Sequence, residues 1–232
     1  MTTLHSSKID IIVQSKYPEV LKMFKDGLSE TTKGFTDLRL HEITGEKYGA
    51  KEINKILKPE VVLKGRQYVG IFNDDLWFAE GWLEDALQLL QKYDCVSPGY
   101  TETNNKDHFK KLVEETKHEV GAIDLLYGAN YILNVDLFTK IGYFDERFDW
   151  SCDDLDIAWR IHLNGLKSVT SKRITMAHMR YLTLEKNSKG RNAFGVKNKE
   201  LFYDKHGYRS YRNLRSMYLA THQHFRQYDY YS

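Results

Sequence analysis

The sequence predicts an α/β protein with a mostly parallel central sheet flanked by helices. Short apolar, β-branched runs, at residues 9–13 and 68–72, read as buried strands. Each is followed by a segment whose apolar residues recur at helical spacing: Val20, Leu21, Phe24 and Leu28 after the first, Leu83, Ala86, Leu87 and Leu90 after the second. Strand and helix therefore alternate in the first half, as they do when parallel strands are joined by helical crossovers that cover both faces of a sheet.

The elements follow in order. Residues 9–13 form a first strand, and Pro18 stands where a helix starts. Residues 35–43 alternate around Leu38 and Leu40 and predict a second strand. Ile53, Ile56 and Leu57 share one face of a helix over 50–57, which Pro59 ends; a further apolar run lies at 61–63. Residues 68–72 predict a central strand, 81–93 a helix, and 95–97 a strand closed by Pro98-Gly99. The polar stretch 101–111, with Asn104-Asn105, reads as a mobile loop. Residues 131–135 predict a strand, and Asp136 is placed to cap the next helix. A helix over 155–163 closes at Asn164-Gly165. Two short strands follow at 168–170 and 174–177. Residues 198–206 read as helical, and the end with Tyr228, Tyr230 and Tyr231 as frayed. No internal repeat is visible.

At 232 residues the chain fits one compact domain, and 41% hydrophobic with 28% charged residues is ordinary for a soluble globular protein. No apolar run approaches the roughly 20 residues that span a bilayer. The first eight residues lack the basic-then-apolar layout of a signal peptide, so a cytoplasmic location is the expectation. Cys95 and Cys152 are too few for a disulfide framework and lack metal-site spacing; both read as reduced thiols, Cys95 in a buried strand. The net charge of +2 gives no electrostatic argument for nucleic acid. The final quarter is basic, with Arg173, Arg180, Lys186 and Arg191 among its cations. That suits an anionic ligand such as a diphosphate or a lipid head group, or equally a solvated surface, and it leaves peripheral membrane contact open.

Three constellations carry chemistry. Asn73-Asp74-Asp75 follows the run 68–72, so a strand delivers carboxylates to the edge where such sheets bind ligands. Adjacent buried carboxylates repel and are costly to desolvate. A divalent cation between them and a phosphate relieves this, and oxygen ligands of this kind favour Mg²⁺ or Mn²⁺. The plain alternative is a polar turn capping the next helix. Asp153-Asp154-Leu155-Asp156 opens a helix, where acids stabilise the dipole and cap free N–H groups. Three acids in four residues exceed that need, and a carboxylate fixed by a helix start is a credible general base. His178 ends an apolar stretch, where it is either structural or a ligand beside the acids.

In this order the motifs resemble the GT-A-fold glycosyltransferases, a Rossmann-like nucleotide-diphospho-sugar transferase fold, most closely the large family 2 type. Residues 71–83, with Asn73-Asp74-Asp75 and Gly81-Trp82-Leu83, are similar to that family's strand–acid–apolar–Gly-Trp-Leu segment. Gly128-Ala129-Asn130 and Gly142-Tyr143-Phe144-Asp145-Glu146 are similar to its glycine and "GxFDE" loop. Asp153-Asp154-Leu155-Asp156 with Arg160 and Gly165 is similar to its acidic helix, and His178 to its strand-end histidine. The likeness runs from about residue 9 to residue 178 and is most specific over 128–165.

The resemblance implies a single domain over 1–232: a nucleotide-binding part at 1–100, an acceptor and catalytic part at 101–180 and a basic helical extension at 181–232. It implies a metal-dependent enzyme moving sugar from a nucleotide diphosphate, UDP favoured, to a hydroxyl of a glycan or other acceptor. Inversion on an Asp base is expected. Asp75, Asn73 and His178 would hold Mn²⁺ or Mg²⁺. Asp74, Gly128 and Ala129 would face the donor; Ser15 and Glu42, at the ends of the first two strands, are placed near the nucleotide base by position alone, and Arg180, a cation just after His178, would close over the diphosphate. Asp154 would be the base, with Asp153 beside it, and Trp150 an apolar platform for the acceptor or simply a core residue. The chain departs from the family at Asn73, which replaces the first acid, and at His41-Glu42-Ile43-Thr44, where many members carry Asp-Asp-Gly-Ser. The rivals are a retaining enzyme of the same fold, a nucleotidyltransferase, disfavoured by the absence of a glycine-rich phosphate loop at Gln14-Ser15-Lys16-Tyr17-Pro18, and a non-catalytic sugar-binding protein.

Overall fold

A computed structural model describes residues 4–45, 49–124, 130–148, 152–179 and 188–207. The chain runs β1 (Ile9–Ser15), α1 (Pro18–Thr31), β2 (Leu38–Thr44), α2 (Ala50–Ile56), β3 (Tyr68–Asn73), β4 (Leu76–Phe78), α3 (Trp82–Leu90), β5 (Cys95–Glu102), α4 (Lys106–Thr116), β6 (Ala122–Asp124), β7 (Tyr131–Asn134), α5 (Leu137–Ile141), α6 (Asp153–Leu163), β8 (Ser168–His178) and α7 (Ser188–His206).

The strands order as β2-β1-β3-β7-β5-β8-β4, with β6 also on β8. The sheet is mixed, which corrects the mostly parallel sheet expected from the sequence. Strands β1, β2 and β3 are parallel to one another, as are β5 and β8, but β7 inserts antiparallel between β3 and β5, and β4 and β6 run antiparallel to β8. Apolar periodicity marks a segment as a strand but does not show which way it runs.

Alternation along β1 builds two cores. Ile12 faces one side with Val69, Ile71, Leu133, α2 and residues Ile157 and Ile161 of α6. Ile11 and Val13 face the other, with Phe24 of α1 and Trp82, Leu83 and Leu87 of α3. Phe109 and Leu112 of α4 close a smaller cluster on Ile174 and Ala177. A fourth cluster joins α6 to α7 through Phe148, Trp159 and Phe202.

Several expected boundaries shift. The stretch read as a mobile loop over 101–111 is the end of β5 followed by α4, capped by the Asn105 carboxamide, which accepts from the N–H groups of Asp107 and His108 at 3.0 Å. Pro98-Gly99 does not close β5. The strand passes through a register shift there, a place that suits a residue without an N–H. Only glycine fits position 99, since a Cβ would lie 2.0 Å from the Arg173 carbonyl oxygen and 2.6 Å from that of Ser171. The same irregularity makes one strand, β8, of the two short ones expected. Pro59 does not end its helix: the chain continues in a wider π-type turn over Leu57–Val62, which also takes in most of the apolar run at 61–63. Asp136 makes no side-chain cap on α5. Cys95 is buried in β5 as expected, and both cysteines are free.

Candidate active site

The carboxyl ends of β1, β3, β5 and β8 and the start of β7 lie at one edge of the sheet, and most of the described candidates gather there. Strand β3 ends at Asn73. The chain turns through Asp74 and Asp75 and re-enters the sheet as β4, which zips antiparallel onto the end of β8, Leu76 facing His178. The Met179 N–H donates to the Asp75 carbonyl at 2.9 Å, locking this turn to the end of β8. As a result His178 Nε2 lies 3.0 Å from Asp75 Oδ1. Both aspartates are 4% exposed, too buried for an ordinary polar turn.

Asp74 points the other way, toward β1, where Ser15 Oγ donates to its carboxylate at 2.5 Å. Burial pushes the Asp74 carboxyl up to about 6; the Ser15 hydrogen bond opposes this and the Asp75 charge adds to it. Trp82, fully buried, explains the Gly-Trp-Leu segment: its ring packs edge-on against Phe72 at 5.6 Å and its Nε1–H donates to Thr31 at 3.0 Å, fixing α3 below the acids.

Asp153 and Asp154 open α6. Cys152 precedes them at φ 63°, a left-handed conformation that turns the chain into the helix. Both acids are half-buried. Burial, reinforced by the Asp153 charge, pushes the Asp154 carboxyl up to about 7, although it accepts the Leu155 N–H at 2.8 Å. Burial also raises Asp153. The two charges are felt by Tyr131 at the start of β7, whose buried phenol is raised well above its ordinary value, first by burial. The third acid has a different part. Asp156 is fully buried and takes Arg160 at 2.9 Å and Lys205 and His206 at 2.7 Å. Lys205 also reaches Asp145 of the Gly-Tyr-Phe-Asp-Glu loop at 2.8 Å, and Asn54 holds that loop from α2 through the Phe144 carbonyl at 2.8 Å. Asp156 therefore anchors α6 to α7.

The edge thus brings together Ser15, Asn73, Asp74, Asp75 and His178. The charges of Asp153 and Asp154 act on Tyr131, on β7 beside β3. Glu42 is exposed on β2 and pairs with Lys25 of α1 at 2.7 Å. Gly128, Ala129, Trp150, Arg180 and Lys186 lie outside the described residues, as does the side chain of Arg191. Two groups at the edge have no role in the sequence reading. Glu102, 7% exposed at the end of β5, stands in register with His178; the sequence hides it because Pro98-Gly99 reads as the strand's end. Asn130, 7% exposed, accepts the Asn73 N–H at 2.8 Å, a bond that leaves no local sequence signal.

A carboxylate oxygen and an imidazole nitrogen 3.0 Å apart are donors suited to Mn²⁺ or Mg²⁺. Among the described residues no three His, Cys, Asp or Glu side chains cluster as a complete cage. Among the same residues no helix is long and apolar enough to cross a membrane.

No protein-family model matches the sequence, and no curated protein matches it. The fold itself is that of the GT-A glycosyltransferases. The catalytic domain of Drosophila β1,4-galactosyltransferase 7, in complex with xylobiose, superposes with a TM-score of 0.55 at 14% identity, over 78% of this chain and 74% of that one. A mutant of that Drosophila enzyme holding manganese, UDP-Gal and xylobiose gives 0.52 at 14% identity, over 81% and 79%. GalNAc-T7 with UDP, GalNAc and Mn²⁺ gives 0.51 at 10% identity, over 75% of this chain and 44% of its own. This chain therefore spans under half of GalNAc-T7.

Proposed function

We propose that this protein is a metal-dependent glycosyltransferase that takes sugar from a nucleotide diphosphate, UDP favoured, and inverts the anomeric centre with Asp154 as general base. The observation that carries the reading is the Asp75–His178 pair at the sheet edge, flanked by the Ser15–Asp74 bond. Of the three solved structures that share the fold, two hold UDP or UDP-Gal with manganese and two hold xylobiose, which supports a nucleotide-sugar donor and a glycan acceptor.

In this reading Asp75 and His178 hold Mn²⁺ or Mg²⁺, with Asn73 beside them. When bound, the ion offsets negative charge on the departing diphosphate. Ser15 and Asp74 face the nucleoside half; Gly128 and Ala129 are assigned to the same donor by resemblance, and Arg180 as a cation that follows His178. Glu42, tied to Lys25, turns toward the nucleotide base only if that pair opens. The acceptor hydroxyl lies against Asp154, which with a carboxyl near 7 is suited to take a proton at neutral pH. The proton passes to Asp154, the acceptor oxygen bonds the anomeric carbon, and the bond to the diphosphate breaks with its electron pair on the phosphate oxygen. Trp150 is assigned to the acceptor.

The test is release of UDP from a panel of UDP-hexoses with added β-linked disaccharides, with Mn²⁺ and with EDTA, followed by NMR of the product's anomeric proton. Mn²⁺-dependent transfer with inversion is expected. A retained configuration would remove Asp154 from its role, and no nucleotide-sugar turnover would reject the activity.

A further inference from the structure

A buried polar seam runs beneath the proposed donor site. Asn130 Oδ1 accepts the backbone N–H of Asn73, at the end of β3, at 2.8 Å. Its own carbonyl accepts the Ser97 hydroxyl of β5 at 3.0 Å. The Ser97 carbonyl accepts the Thr170 hydroxyl of β8 at 3.2 Å. Ser97 and Thr170 are 1% and 0% exposed. The seam therefore ties β3, which leads into Asp74 and Asp75, to β8, which ends at His178, across the two strands between them.

Asn130 stands at φ 75°, a left-handed conformation that glycine takes freely and asparagine only tolerates. If the backbone bend were all that mattered here, glycine would serve better. What asparagine adds is the acceptor oxygen. Tyr131, the next residue, feels the charges of Asp153 and Asp154.

We propose that Asn130 is a positioning residue: its carboxamide oxygen sets the turn Asn73-Asp74-Asp75 at the spacing from His178 that a nucleotide diphosphate and its divalent cation require. This rests on the function proposed above. Without that oxygen the Asn73 N–H loses its partner, and the turn is free to shift by the few tenths of an ångström that matter to metal geometry.

The test compares wild type with Asn130→Gly and Asn130→Asp, reading the melting temperature without ligand and the Kd for UDP with and without Mn²⁺. Glycine keeps the bend and removes the oxygen; aspartate keeps both bend and acceptor. The expected result is an Asn130→Gly protein that melts close to wild type yet binds UDP–Mn²⁺ roughly tenfold more weakly, with Asn130→Asp staying within about threefold. Wild-type affinity in Asn130→Gly would overturn the proposal, as would an equal loss in both variants. An Asn130→Gly protein that fails to fold would show a structural role instead. A wild-type protein that ignores UDP and Mn²⁺ would count against the donor reading itself, which keeps the two failures apart.

Discussion

Replacing Asp154 with Asn removes a half-buried charge and keeps the side-chain oxygen that accepts the Leu155 N–H. The two consequences run in opposite directions. Burial raises the Asp154 carboxyl from its ordinary 3.8 to about 7. The folded protein thus holds a proton that the unfolded chain has released between those values, and stability falls as pH rises from about 4 to about 7. At roughly 1.36 kcal/mol per pH unit the ceiling is about 4 kcal/mol. Because the residue is half-buried and shares its field with Asp153, a discounted figure of about 1–2 kcal/mol is appropriate. In a chain of this size that is a rise in Tm of roughly 2–8 °C for Asp154→Asn at pH 8, vanishing at pH 4 where both proteins are uncharged at this position. Turnover should fall by about 10²–10⁴ over the same comparison, with UDP affinity unchanged. Thermal melts at the two pH values and a UDP-release assay measure all of this. An Asp154→Asn protein no more stable than wild type at pH 8 would refute the claim of a costly buried carboxylate, and full turnover would refute its role as base.

In wild type, turnover should rise with pH through about 7 as Asp154 loses its proton; a flat profile from pH 5 to 9 would count against it. Asp156→Asn leaves the cations of Arg160 and Lys205 without their buried anion and should destabilise by about 3–5 kcal/mol, visible in urea melts. Phe202→Ala empties a fully buried site between Phe148 and Trp159 and should cost about 3–5 kcal/mol, with loss of the α7 contact visible by hydrogen exchange. Gly99→Ala meets two carbonyl oxygens of β8 and should prevent soluble folding, read as the soluble fraction on expression.

The strands and helices are legible where burial imposes a period. Ile11, Ile12 and Val13 alternate between two cores, and Leu83, Ala86, Leu87 and Leu90 line one helix face. Helix α4 is not, because its apolar side rests mainly on Phe109 and Leu112 amid lysines and glutamates, although the Asn105 cap is a readable start. Strand direction is hidden, and with it the antiparallel β7. The site is legible as strand-end and helix-start acids in a familiar order. What brings Asp75 to His178 is the pairing of β4 with β8, a long-range contact that no local pattern announces. The same holds for Asn130, whose partner Asn73 is reached only through the sheet.

The most direct measurement is the structure of the protein crystallised with UDP and Mn²⁺, the metal located by its anomalous scattering. The expected result is manganese bonded to the Asp75 carboxylate and His178 Nε2, with the diphosphate beside it and the uridine toward Ser15. Manganese at another place on the sheet, or UDP bound away from these two side chains, would contradict it.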